Sequence, residues 1–208
     1  MSIELWLAFV AASAVLLIIP GPTVLTVISY AIARGRSASP ALVAGVALGD
    51  STALIVSLVG LGALLAASAF LFTVIKLVGG MYLLYLGIRM LRAGFTAHEV
   101  ATRTAPDSHR RLFLNTYLVT AFNPKSIMFF VAFLPQFVDR SSGVTQQLVL
   151  LAVTFVVMAA ANAGMYSTFA GSANRVLSSP RAQRRLNLAG GSLLSAAGVW
   201  ALLARHSA

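Results

Sequence analysis

The 208-residue chain has no cysteine, only five acidic side chains and only three histidines. Without cysteine there is no disulfide framework, no thiolate metal site and no cysteine nucleophile. Charged residues make up 10% of the sequence, whereas a soluble domain carries about 25%. What fills the space is apolar: 59% of the residues are hydrophobic and the mean hydropathy is +0.88. A membrane span needs about 20 residues, so the length accommodates six helices joined by short loops, with no large extramembrane domain. In a soluble protein a net charge of +10 would point to nucleic acid. Here the basic residues sit in the connections between apolar runs, so they act as topology signals and no nucleic-acid partner is expected.

The apolar runs predict helices over Leu5 to Ala33, Pro40 to Ala67, Ile75 to Arg92, Arg111 to Phe137, Gln146 to Gly171 and Leu186 to Ala204. No basic residue precedes the first run, so it does not read as a cleaved signal peptide. Arg34 and Arg36 follow the first run, five arginines against two acids follow the third, and Arg175, Arg181, Arg184 and Arg185 follow the fifth. The second and fourth connections carry no net charge. Under the positive-inside rule the odd connections are cytoplasmic and both termini lie outside, which is periplasmic in a bacterial inner membrane. Trp6 and Trp200 read as interface anchors at that outer face.

Two of the runs contain helix breakers at mid-span: Pro20-Gly21-Pro22 in the first and Asn123-Pro124-Lys125 in the fourth. A proline removes a backbone donor and clashes with the preceding turn, and lipid offers no replacement partner. Broken helices of this kind commonly line a binding site near the bilayer midplane of a secondary transporter. Beyond each break a half-helix starts with unpaired N–H groups and a positive dipole end, which suits a carboxylate. Thr23 and Thr26 add hydroxyls, Asn123 is an N-cap and Lys125 adds a positive charge. The expected substrate-binding set is Pro20, Gly21, Pro22, Thr23, Asn123, Pro124 and Lys125. The competing explanation for both breaks is a kink that fits neighbouring helices.

The polar stretch from about 94 to 110 divides the chain into halves of three helices, repeat 1 over about 1–93 and repeat 2 over about 111–208, within one transmembrane domain spanning 1–208. Leu77-Val78-Gly79-Gly80 and Gly87 in segment 3 correspond to Leu188-Ala189-Gly190-Gly191 and Gly198 in segment 6, and the step from Gly80 to Gly191 equals that from Gly87 to Gly198. The breaks of segments 1 and 4 correspond as well. Three spans per half make the repeats inverted, the arrangement associated with alternating access. His98 and His109 lie in or beside the linker among arginines, and their spacing is not that of metal ligands.

An ion at the bilayer centre costs at least about 2.5 kcal/mol, so the charges within spans are informative. Asp50 and Lys125 stand out. Asp50 sits in Gly45-Val46-Ala47-Leu48-Gly49-Asp50, where glycines four apart let another helix approach, within the chain or in a homodimer. Its carboxylate either pairs structurally, with Lys125 a candidate partner, or titrates and couples protons to transport. Asn162 is the candidate polar counterpart in segment 5. Lys76 reads as a snorkelling residue. Tyr82, Tyr85, Phe129, Phe130, Phe133 and Phe137 read as packing aromatics. Neither a metal, a cofactor nor a catalytic constellation is expected.

Pro20-Gly21-Pro22, the glycines ending in Gly49-Asp50, Asn123-Pro124-Lys125 and Phe133-Leu134-Pro135-Gln136-Phe137, in this order over the whole chain, resemble the lysine exporter (LysE/RhtB) family of bacterial amino-acid exporters. The resemblance implies an inner-membrane protein that expels amino acids or close derivatives in exchange for protons. A basic substrate would need its own buried anion, and Asp50 is the clear acidic residue within the spans. A neutral zwitterion such as threonine, homoserine or leucine is therefore favoured over a basic one. A derivative such as a lactone, or an inorganic cation held by Asp50, Asn162 and freed carbonyls, is the alternative cargo.

Overall fold

The computed structural model describes residues 1–67, 69–92, 108–138, 143–177 and 179–203. Most of the linker, with His98, lies outside these, as do the side chains of Lys76, Arg175 and Trp200. Among the described residues the regular structure is all helical: α1 (Ile3–Ile18), α2 (Pro22–Arg34), α3 (Ser39–Ala67), α4 (Ala69–Arg92), α5 (His109–Ala121), α6 (Pro124–Ala132), α7 (Val144–Thr168), α8 (Ala170–Leu177) and α9 (Pro180–Leu203), with short 3-10 turns at Arg36–Ala38 and Leu134–Phe137.

Each expected apolar segment is helical. Segments 1 and 4 are broken where the prolines stand, α1 meeting α2 at 54° and α5 meeting the 124–137 stretch at 43°. Each bent pair is apolar enough to cross a membrane, as are the single helices over Arg36–Gly60 and Val144–Thr168. Two starts differ from the sequence expectation. α4 begins at Ala69, ahead of Ile75, because the preceding apolar residues continue the helix without a stop signal. α9 begins at Pro180, ahead of Leu186, with proline in the first turn where its missing N–H costs nothing. The arginines of its first turns belong to helix, not to loop.

α7 shows why these helices need lipid. Its inward stripe, Leu151, Phe155, Ala159 and Ala163, is buried, yet Val149, Val153, Val157 and Met165 on other faces are more than half exposed. A helix that is apolar all round is stable only with hydrocarbon on its outer side. The core is aromatic: Phe9, Phe129, Phe130, Phe133, Phe137 and Phe155 are buried in edge-on and tilted contacts with ring centroids 4.8–6.2 Å apart. Trp6 donates its indole N–H to Thr154 Oγ1 at 3.2 Å, tying α1 to α7. Tyr85 is more than half exposed and pairs with Tyr82 on the outside of α4.

Small residues set the closest helix contacts. A Cβ added at Gly87 would stand 2.7 Å from Gly191 O, and one at Gly198 would stand 2.8 Å from Gly80 O. α4 and α9 therefore run antiparallel, Gly80 against Gly198 and Gly87 against Gly191. On the other side, a Cβ at Gly49 would lie 2.7 Å from Thr120 Cβ, and one at Gly45 would lie 2.9 Å from Thr116 Cβ. Gly45 and Gly49 thus serve an internal contact of α3 with α5. Gly87→Ala is expected to cost about 1–3 kcal/mol through overpacking. Gly60→Ala, where nothing lies within 4 Å, is expected to gain up to about 1 kcal/mol of helix propensity. Unfolding of the detergent-solubilised variants measures both.

Candidate functional site

The last carbonyls of any helix lack intrahelical donors, and at the end of α1 the shortage is specific. The N–H groups that would have reached Leu16 O and Ile18 O belong to positions 20 and 22, and both are proline. Other elements replace them. The Lys125 ammonium donates to Leu16 O at 2.9 Å and to Ile19 O at 2.8 Å. Asn162 Nδ2 donates to Leu17 O at 3.2 Å, and the Tyr166 hydroxyl to Ile18 O at 3.1 Å. Four consecutive carbonyls are satisfied by side chains of α6 and α7. A cation is favoured there by the helix dipole as well. Gly21 makes room for it, since a Cβ at that position would come 3.1 Å from Lys125 Nζ and 3.3 Å from its Cε.

The second break is closed by its own cap. Asn123 accepts a hydrogen bond from the Lys125 N–H at 3.1 Å and donates from Nδ2 to Thr23 Oγ1 at 3.1 Å. The amide therefore joins the start of α6 to the start of α2. The α2 start has no side-chain cap: its N-cap is Gly21 and Pro22 is its first residue. The N–H groups of Thr23 and Val24 are left without helical acceptors, and both residues face a cavity.

That cavity lies between the breaks and measures about 30 Å³. Its polar wall is Thr23, Asp50, Asn123, Lys125, Ser126 and Asn162, and its apolar wall includes Leu16, Val24, Val27, Val46, Ala159 and Ala163, with Tyr166 at one side. Asp50, midway along α3, is 2% exposed, and its Oδ1 has no hydrogen-bond partner. Ser126 and Lys125 are the polar groups that face its carboxylate. No direct ion pair forms with Lys125, whose ammonium is committed to the α1 carbonyls. A buried carboxylate with an unfilled acceptor is an invitation to an amine or a proton. The volume admits about two waters, so a solute the size of an amino acid enters only when the helices around the cavity separate.

Of the residues singled out in the sequence, Gly21, Thr23, Asp50, Asn123, Lys125 and Asn162 line one cavity, while Pro20, Pro22 and Pro124 shape the backbone around it. Thr26 is buried but lies off the wall. His109 is elsewhere, its Nε2 3.2 Å from Ser37 O. Tyr166 and Ser126 were not foreseen. Tyr166 could have been found from its position one turn beyond Asn162, on the same face of α7.

A bundle of lipid-facing helices with two broken spans around a buried polar cavity defines a membrane transporter. The chain belongs to the LysE type translocator family, whose profile matches residues 14–205. It is 32% identical over 207 residues to the homoserine/homoserine lactone efflux protein of Salmonella typhi, covering 100% of both chains. It is also 32% identical over 205 residues to a membrane protein of Vibrio cholerae, covering 96% of this chain and 97% of that one. The leucine efflux protein of Klebsiella pneumoniae is 28% identical over 134 residues, 64% of this chain and 63% of its own. No solved structure matches the chain.

Asn123→Ala removes both the cap of α6 and the bridge to Thr23. It is expected to cost about 1–2 kcal/mol, with Asn123→Ser, which keeps an uncharged N-cap acceptor, costing less. Comparing their unfolding midpoints with wild type in detergent measures this.

Proposed function

We propose that the protein exports a small neutral amino acid, or a close derivative such as its lactone, across the bacterial inner membrane in exchange for protons. The observation that carries this reading is the buried Asp50 carboxylate, whose Oδ1 has no hydrogen-bond partner, in a cavity shared by two helix starts. The substrate carboxylate, or the ester carbonyl of a lactone, is held at the uncapped start of α2 by the Thr23 and Val24 N–H groups, and the amine is held by Asp50. Val24, Val27, Val46, Ala159 and Ala163 leave an aliphatic side chain in apolar surroundings. A basic side chain would need a second anion, and Asp50 is the buried acid among the described residues. The names of the Salmonella and Klebsiella relatives agree with a neutral cargo. An inorganic divalent cation fits less well, since such ions take six or more oxygen ligands with several charges among them.

Export proceeds by rocking of two inverted three-helix repeats about the cavity. The contacts of Gly80 with Gly198 and of Gly87 with Gly191 support that symmetry, because exchanging the halves turns one contact into the other. With Gly45 and Gly49 both covered by α5, the reading calls on no second copy of the chain. Both termini lie on the periplasmic side. Protonation of Asp50 from that side loosens its hold on the amine and lets the empty site return carrying the proton.

In cells loaded with mixed dipeptides, the overproduced protein is expected to speed the appearance outside of one or a few neutral amino acids relative to an empty vector. Threonine or leucine is expected to compete and arginine not to; strong arginine export unaffected by threonine contradicts the neutral-substrate reading. Asp50→Asn is expected to reach the membrane at normal levels and to lose pH-dependent export. Unchanged pH-dependent export in that variant removes Asp50 from the coupling role.

A further inference from the structure

Lys125 lies one residue past a proline at the start of a half-helix, a place that suggests an anion-binding charge. Its ammonium does something else. Two of its three N–H bonds go to Leu16 O and Ile19 O at 2.9 and 2.8 Å, at the negative end of α1 and in the backbone opened by Pro20. The two carbonyls between them are taken by Asn162 and Tyr166, so the ammonium occupies the vacancy that is left. In transporters with broken helices, half-helix C-terminal ends and unwound carbonyls are where coupling alkali ions are coordinated. The missing side chain of Gly21 completes the berth, with Nζ, Cε and Cδ of Lys125 all close to where a Cβ would stand.

We infer that Lys125 is the resident cation of the α1 break, a tethered ammonium that fills the carbonyl site of a coupling alkali ion, so that this protein neither binds nor uses sodium there. The substrate carboxylate is then held by the start of α2 and not by Lys125. The part of this inference that concerns coupling rests on the export reading; the part that concerns the site does not. Lys125 is a positioning residue. It fixes the end of α1 to the start of α6 across the two halves of the chain, leaving Asp50 without a direct cation partner and its Oδ1 open to a ligand.

Lys125→Ala removes a propylammonium-sized group and opens the berth, so the probes are n-propylammonium and sodium, with choline as the control at equal ionic strength. In detergent, Lys125→Ala is expected to melt several degrees below wild type and to regain much of the loss saturably with n-propylammonium or sodium, but not with choline. Lys125→Met, which keeps the volume without the charge, is expected to melt low and to gain nothing from either cation. The absence of any saturable shift in Lys125→Ala overturns the inference. A second arm needs no variant: the melting of wild type is expected to be the same in sodium as in choline, and a saturable sodium-specific stabilisation of wild type overturns the inference. Neither melting arm needs a substrate, so a failure to find amino-acid export leaves both readable. If export is found, replacing sodium by choline is expected to leave its rate unchanged, and a severalfold loss contradicts the coupling claim.

Discussion

A proline within a membrane helix leaves a carbonyl without a donor in a medium that supplies none, and the centre of this protein is the answer to that constraint. Pro20 and Pro22 unbond Leu16 O and Ile18 O; Lys125 and Tyr166 bond them again, with Asn162 serving the carbonyl between. An unsatisfied buried polar group costs about 1–3 kcal/mol, so the break is tolerable only while α6 and α7 stay against the end of α1. Local chemistry at one tripeptide, Pro20-Gly21-Pro22, thus dictates which helices are neighbours in the middle of the bundle.

The same demand explains why the site is polar at all. A bundle assembled from runs this apolar has little reason to hold Asn123, Lys125, Ser126 and Asn162 in its interior. Three of them have structural partners at the two breaks: Lys125 and Asn162 cap α1, and Asn123 caps α6 while bonding Thr23. Asp50 is the exception. Its Oδ1 has no partner, and the glycine beside it lets α5 pack close, leaving the carboxylate directed at the cavity. Among the polar side chains of the cavity wall, the proposed function rests on the one with a buried oxygen that lacks a partner.

Much of this was legible in the sequence because it depends on backbone chemistry. Prolines at mid-span predict the breaks, the carboxylate in an apolar run falls on the cavity wall, and the glycines before Asp50 mark a close helix approach; the matched glycines of segments 3 and 6 were legible as a repeat, not as the contact of α4 with α9. The starts of α4 and α9 were less legible, since neither a cap nor a turn residue separates Ala69 from Ile75, and arginines at 181, 184 and 185 resemble a loop while sitting in a helix. The partners of Lys125 were not legible. Adjacent sequence places it at a positive helix end, where a cation is disfavoured, and only the meeting of segments more than a hundred residues apart delivers its head to a negative one. The carbonyl partner of Tyr166 was not legible for the same reason, although its place one turn beyond Asn162 puts it on the same face of α7.

With the start of α2 and Asp50 as the two ends of the proposed ligand site, closed in this conformation around a cavity too small for an amino acid, exposure of that wall must vary through the cycle and respond to substrate. The absence of native cysteine makes this directly observable. Single cysteines at Thr23, on the cavity wall, and at Ser37, exposed on the loop after α2, can be labelled with a maleimide in membranes with and without an exported neutral amino acid. The amino acid is expected to slow labelling of Thr23→Cys in a saturable way and to leave Ser37→Cys unaffected. An amino acid that is demonstrably exported yet does not alter labelling at Thr23→Cys would place the substrate elsewhere and contradict the assignment of the site.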